Sequence, residues 1–151
     1  VMILLAAASV FAYILTAEGV TVALANAVLS ISSNKYVILF MMNIILLICG
    51  MFLDGCSIIT ILGPLFYPIA VQAGIDPIHL GIVIVVNTAI GMFTPPFGLN
   101  LFVASSITKK PILTVSKGVI PFIIISIIAL LVITYVPEVS LFIPRMVYGA
   151  W

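Results

Sequence analysis

The sequence predicts an all-α polytopic membrane protein with a re-entrant helical hairpin and a broken helix. Three observations carry this. Of the 151 residues, 65% are hydrophobic and 6% charged, whereas a soluble domain carries about 25% charged residues to solvate its surface. Mean hydropathy is +1.50. The apolar runs are also interrupted near their middles by segments rich in Gly, Pro and Asp, and not only at their ends.

Five basic residues, four acidic residues and one His cannot cover a soluble globule of 16.1 kDa. A soluble enzyme, a nucleic-acid binder and a disordered tail are excluded, and the partner the surface calls for is a lipid bilayer. A net charge of +1 gives no sign of a polyanion, so no nucleic acid is expected. Cys49 and Cys56 lie in apolar sequence without metal-ligand neighbours and read as small buried hydrophobes. Apolar sequence begins at Val1 with no charged n-region, which does not suit a signal peptide. The chain is expected to be a fragment that starts inside a longer membrane protein.

A spanning helix needs about 20 apolar residues to cross a core roughly 30 Å thick. Residues 1–31 contain an apolar run, an interruption at Thr16-Ala17-Glu18-Gly19 and a weaker run. They predict a broken transmembrane helix, or a helix followed by an interfacial piece. Ser32-Ser33-Asn34-Lys35 is a polar turn. Residues 36–72 are apolar except near 50–57, Gly50-Met51-Phe52-Leu53-Asp54-Gly55-Cys56-Ser57. The arm beyond contains Gly63, Pro64 and Pro68, and from Ser57 to Pro68 it reaches only ~18 Å as a helix. Two short arms meeting at a Gly-rich polar tip predict a hairpin that enters and leaves on one side. Such irregular backbone is tolerated at depth only where it is buried in protein or lines a cavity. The alternative is two ordinary spanning helices with an extramembrane Asp turn.

Ala73-Gly74-Ile75-Asp76-Pro77 is a second aqueous turn, with Pro77 placed for a first helical turn. Residues 78–108 form a run of ~46 Å as straight helix, longer than a bilayer core. It is predicted to be discontinuous, broken at 91–98 by Gly91-Met92-Phe93-Thr94-Pro95-Pro96-Phe97-Gly98, because proline lacks a donor and biases the residue before it away from helical angles. Residues 117–136 predict a transmembrane helix, and residues 137–151, with Arg145, Tyr148 and Trp151, an interfacial tail. The loop from Lys109 to Lys117 holds three of the five basic residues and is expected on the cytoplasmic side. The two earlier turns and the tail then face outside.

Asp54 is the first candidate site residue. An ionisable group inside an apolar stretch costs several kcal/mol unless it meets a cavity, partner or cation. No Lys or Arg lies near it in sequence, Gly50 and Gly55 allow tight backbone, and Ser57 with freed carbonyls offers oxygen ligands. A cation site explains this economically; capping of the second arm is the alternative, and the roles can coexist. The Thr94-Pro95-Pro96 break is the second candidate. Unwinding is expected to free carbonyls from Gly91 to Phe93 and to expose the N-terminus of a half-helix starting near Pro96. Secondary transporters use such breaks near the midplane to hold Na⁺ and anionic substrate groups. A simple proline kink is the bland alternative.

Asn87, Asn100 and Ser105 lie on the two halves of this element and could line a polar pathway or make interhelical hydrogen bonds. Glu18 reads as a cap or interfacial residue, and His79 as an interfacial histidine. The likeness of Gly50-Met51-Phe52 to Gly91-Met92-Phe93 reads as coincidence, because the flanks differ.

The Gly50–Asp54 stretch, the Gly74-Ile75-Asp76-Pro77 turn and the run from Gly91 to Ser105 resemble the large permease subunit of tripartite ATP-independent periplasmic (TRAP) transporters. The similarity also covers the start of the chain (Ala6 to Tyr13) and the Pro121-to-Tyr135 helix. The sequence departs from the family's pattern at Gly55-Cys56. The resemblance implies the C-terminal inverted repeat of a larger subunit of the bacterial inner membrane. It also implies an elevator-type secondary transporter, in which each repeat gives a hairpin and a broken helix to a mobile domain. It implies transport driven by a Na⁺ gradient, with Na⁺ as coupling ion. Carried over, Gly50, Asp54, Gly91, Thr94 and Pro95 would form a Na⁺ site. Ser57, Pro96 and Asn100 would face an organic-acid substrate such as a C4-dicarboxylate or sialic acid. A small membrane permease subunit and a periplasmic substrate-binding protein are the implied partners. Two alternatives remain at this level. A binding-protein-independent Na⁺/carboxylate carrier could share the architecture. An intramembrane aspartyl enzyme would need two carboxylates sharing a proton, and Asp54 is the sole carboxylate expected at depth; the expectation is therefore a transporter and not an enzyme.

Overall fold

A computed structural model describes residues 2–31 and 34–149, all of whose regular elements are helices. In order these are α1 (Met2–Ala17), α2 (Val20–Ile31), α3 (Lys35–Phe52), α4 (Gly55–Gln72), α5 (Pro77–Gly91), α6 (Leu99–Thr108), α7 (Ile112–Tyr135) and α8 (Pro137–Tyr148). Val1, Ser32, Ser33, Ala150 and Trp151, parts of the segments expected from sequence, lie outside the described residues.

Among the described residues, α3, α4 and α7 are long and apolar enough to cross a membrane by length and composition. This is a multi-pass membrane protein by that criterion. Much of the outer face of α7 is large and apolar: Phe122, Ile125 and Ile128 are all exposed. Against water such a surface would be an aggregation liability; against hydrocarbon it is the solvated state.

α5 is the central element. It packs on α3, α4, α7 and α8, while α1 and α2 pack on the outer side of α4 and α6 packs on α7. The core lies where the hairpin arms embrace α5: Ile38, Leu39, Met42 and Leu46 of α3, Ile58, Phe66, Ile69 and Ala70 of α4, Ile75, and Leu80 and Ile84 of α5. Ile38, Met42, Leu46 and Gly50 follow one another at helical spacing along α3, so the apolar row that faces α5 ends on a glycine.

Local chemistry sets the ends of these elements. Asn34 caps α3 by accepting a hydrogen bond from the Tyr36 N–H at 3.0 Å. Asp76 caps α5, accepting from the Ile78 N–H at 2.8 Å and the His79 N–H at 3.3 Å, with Pro77 in the first turn. Both motifs satisfy donors that a helix start leaves free.

Three sequence expectations are corrected. The second hairpin arm is not cut short by Pro64 and Pro68: α4 runs unbroken for 18 residues, ~27 Å at the helical rise. Proline inside such a helix is tolerated when hydroxyls and neighbouring helices re-satisfy the backbone. The Thr60 hydroxyl donates to the Cys56 carbonyl at 2.8 Å, so it does not replace the donor that Pro64 withholds from the Thr60 carbonyl; the support for the arm comes from α1 and α2, which pack against it. The tip is correspondingly small, with only Leu53 and Asp54 outside the two helices. The helix expected over 117–136 begins at Ile112, so Lys117 lies inside α7, and the basic loop shrinks to Lys109, Lys110 and Pro111. Pro111 provides the fixed φ that lets a helix start there, and Lys109 turns the chain with a φ of 55°. Finally, Cys56, in the first turn of α4, is exposed and Cys49 half-buried.

Candidate ion and substrate site

The hairpin tip and the helix break meet. A Cβ placed on Gly91 would stand 2.6 Å from the Cα and 2.7 Å from the carbonyl carbon of Gly50; one on Gly50 would stand 3.0 Å from the Gly91 Cα. The last turns of α3 and α5 therefore touch backbone to backbone, an approach that residues without a Cβ permit. The two Gly-Met-Phe stretches, unrelated by sequence context, are in contact through their glycines. One residue into the second arm, a Cβ on Gly55 would lie 3.2 Å from the Thr88 Cγ2. The rings of Phe52, at the end of α3, and Phe97, in the break, pack with centroids 5.1 Å apart.

Asp54 caps α4. Its carboxylate accepts from the Ser57 N–H at 3.1 Å and from the Ser57 hydroxyl at 2.5 Å. Both oxygens carry one bond and keep further lone pairs. The capping alternative is thus the role seen for Asp54, and it fixes Ser57 against the same carboxylate. Both residues are half-buried at the tip.

The break between α5 and α6 is a compact set of turns. Successive N–H groups of Met92, Phe93 and Thr94 donate to the carbonyls of Thr88, Ile90 and Gly91. The Thr94 hydroxyl donates to the Ile90 carbonyl at 2.7 Å. Giving its proton inward leaves the hydroxyl oxygen's lone pairs for another ligand. Two expectations change here. The carbonyls of Gly91 and Met92 are not left free, because they accept from the N–H groups of Thr94 at 3.0 Å and Asn100 at 2.9 Å; each keeps one lone pair. The second half-helix starts at Leu99 and not near Pro96, since the chain first folds back to bring Gly98 over Met92. A Cβ on Gly98 would stand 2.6 Å from the Met92 oxygen.

Of the eight residues singled out from sequence, Gly50 and Gly91 are buried together, Asp54 and Ser57 are bonded to each other, and Thr94 and Pro95 are half-buried in the break. Pro96 and Asn100 are exposed. It is the backbone of Asn100, and not its side chain, that ties α6 to the break. Ser105 turns away to donate to the Lys110 carbonyl at 2.7 Å. Among the described residues no group of three or more His, Cys, Asp or Glu side chains could hold a metal. Any ion held here would therefore rely on carbonyl and hydroxyl oxygens with one carboxylate.

A second polar assembly was missed in the sequence. Asn43 of α3, 3% exposed, donates to the Thr134 hydroxyl of α7 at 3.0 Å and accepts from the Asn87 amide of α5 at 2.6 Å. Asn87 is fully buried; its amide also donates to the Val83 carbonyl at 2.8 Å, while its Oδ1 has no partner. Interhelical bonding, and not a solvated pathway, is what Asn87 does. Farther along α5, His79 is 3% exposed. Its ring nitrogens lie 2.6 Å from the Ser140 hydroxyl and 3.2 Å from the Thr134 carbonyl, joining α5 to the α7–α8 corner. The signal for Asn43 was present: a single amide on the row of α3 that otherwise buries Leu39 and Leu46.

Comparison with known proteins places these features in a family. The family described as "Tripartite ATP-independent periplasmic transporter, DctM component" matches residues 1–139. The chain is 44% identical over 144 residues to the C4-dicarboxylate TRAP transporter large permease protein DctM of Pseudomonas aeruginosa, covering 95% of this chain and 34% of that protein. It is 44% identical over 142 residues to the isethionate TRAP transporter permease protein DctMQ of Oleidesulfovibrio alaskensis, covering 94% and 22%. With the sialic acid TRAP transporter large permease protein SiaM of Vibrio cholerae it shares 34% identity over 141 residues, covering 93% and 33%. The chain thus spans about a third or less of the length of these curated relatives.

Proposed function

Because the chain belongs to the DctM component family of tripartite ATP-independent periplasmic transporters, a family of transport proteins and not of enzymes, we propose that it forms part of a large permease importing small organic acids with Na⁺. The permease would sit in the bacterial inner membrane, with a small membrane permease subunit and a periplasmic substrate-binding protein as partners. α3 and α4 would be a re-entrant hairpin, and α5 and α6 the discontinuous helix of an elevator-type transport domain. The named substrates of the relatives, C4-dicarboxylates, isethionate and sialic acid, share an acid group, which supports a small organic anion as cargo.

The observation that carries this reading is the backbone contact of Gly50 with Gly91, which joins the tip to the break. Na⁺ in secondary transporters is held by unwound carbonyls near such junctions. The donor set fits. Gly91 keeps a carbonyl lone pair, and Thr94 has turned its hydroxyl proton inward. The Gly50 and Pro95 carbonyls lie on the same two segments, and Asp54 supplies the negative charge of the tip. Ser57, Pro96 and Asn100 would then face the substrate, whose other contacts come from the rest of the permease.

The test is uptake of labelled C4-dicarboxylate and sialic acid by the full-length permease with its small subunit in proteoliposomes. An inward Na⁺ gradient is compared with K⁺, with and without the binding protein. Asp54→Asn and Thr94→Val are each expected to raise the Na⁺ concentration for half-maximal uptake by roughly tenfold, the equivalent of ~1.4 kcal/mol of ion binding. Unchanged Na⁺ dependence in both variants at equal expression sinks the ion site. Uptake that needs Na⁺ but ignores the binding protein removes that partner and favours a binding-protein-independent carrier.

A further inference from the structure

A half-open cavity of about 180 Å³ lies at the end of the bundle opposite the hairpin tip, where the two ends of the hairpin meet the α7–α8 corner. Its lining includes Lys35, Tyr36, Asp76, His79, Thr134 and Arg145. We infer that this cavity binds the phosphate of a membrane phospholipid, held between Lys35 and Arg145.

Charge comes first. Two of the chain's five basic residues converge on one small cavity from distant parts of the sequence. Among the described residues no ion pair engages either of them; the Lys35 ammonium lies 5.2 Å from the centroid of the Tyr36 ring. One carboxylate, Asp76, also lines the cavity. Its Oδ1 is turned to the first amides of α5, accepting from Ile78 and His79, so its charge is directed at a helix N-terminus. Glu138 faces the neighbouring groove with Arg145 and Met146. The cavity is left with a cationic rim.

The walls are fixed. His79 bridges the Ser140 hydroxyl and the Thr134 carbonyl, so the start of α5 cannot move away from the α7–α8 corner without breaking buried bonds. A rim held open by buried bonds presents its cations without reorganisation, which favours binding.

Position selects a lipid over a soluble anion. Lys35 opens one candidate span, and α7, another, ends at Tyr135 beside the cavity residues Thr134 and Pro137. Tyr36 and Tyr135, with ring centroids 5.8 Å apart, stand at those span ends, the depth at which aromatic belts and headgroups lie. α8 starts at the same corner, with Phe142, Ile143, Met146 and Val147 exposed along one face. That face offers apolar surface for acyl chains beside the phosphate, as an interfacial helix does.

The full-length permease, purified in a neutral detergent, is titrated with phosphatidylglycerol while its thermal unfolding is followed, and the phospholipid it retains is counted by native mass spectrometry. Lys35→Gln and Arg145→Gln are each expected to raise the half-saturating lipid concentration roughly fivefold, and the double variant roughly thirtyfold, as expected for one surface cation per step. Lys35→Arg should keep the wild-type response, and the double variant should retain one phospholipid fewer. Both side chains are exposed, so the variants should fold. Equal lipid responses in wild type and double variant overturn the inference, as does an equal response to diacylglycerol with the same chains. If inorganic phosphate at millimolar concentration reproduces the response, the ligand is a soluble anion and the lipid assignment fails.

Discussion

Gly91→Ala is expected to destabilise the permease by ~3 kcal/mol, the upper end of the usual cost of overpacking. The added methyl would stand 2.6 Å from the Gly50 Cα, and 3.1 Å from its carbonyl oxygen. What it meets is backbone, not the end of a side chain that can swing away. α3 and α5 must separate, and the row Ile38, Met42 and Leu46 would lose contact with α5. Gly118→Ala is the control: it lies in α7 with nothing within 4 Å of the added Cβ, so it should be neutral or raise stability by up to ~1 kcal/mol through helix propensity. Unfolding in detergent, followed by far-ultraviolet circular dichroism, separates the two. If Gly91→Ala unfolded with the control, the backbone contact would not be tight in solution. Na⁺-dependent uptake by surviving Gly91→Ala protein should also fall, since the same contact joins the tip to the break.

Asn43→Ala is expected to cost ~2–3 kcal/mol, combining a small cavity with the loss of two buried interhelical hydrogen bonds. Its amide is the only link in the described network between Asn87 of α5 and Thr134 of α7. Thr134→Val removes one of those bonds and should cost less, ~1–2 kcal/mol, mainly by stranding the Asn43 amide. The pair should be non-additive, with an interaction energy above ~0.5 kcal/mol in a double-mutant cycle. Interhelical bonds in membranes are often worth only about 0.6 kcal/mol because the unfolded helices find other partners. A measured coupling near zero would assign the cost of Asn43→Ala to the cavity alone.

Much of the molecule was legible in the chain. Composition settled the membrane class, because so few charges cannot solvate a globule of this size. The interruptions at Glu18-Gly19, Leu53-Asp54, Gly74 to Asp76 and Met92 to Gly98 coincide with non-helical backbone in the structure, since Gly, Pro and capping Asp act locally. Two boundaries depart from the expected ones, one for a tertiary reason and one for a local reason. Pro64 and Pro68 read locally as breakers, yet α4 continues through them with α1 and α2 packed against it. Lys117 reads as the edge of a loop, yet the fixed φ of Pro111, itself a local signal, starts α7 before it.

The candidate site divides in the same way. The residue types at the tip and the break, and the capping role of Asp54, follow from sequence, because a carboxylate three residues before Ser57 can accept from that residue's amide without help from the rest of the fold. That Gly50 touches Gly91, that Asn43 bridges α5 and α7, and that Lys35 and Arg145 share a cavity could be decided only by tertiary structure. These pairs are far apart in the chain, and no local rule couples them. The packing of α3 on α5 brings the two glycines together, and the packing of α7 and α8 on the same α5 brings the other two pairs together; both are set by whole apolar rows and not by neighbours in sequence.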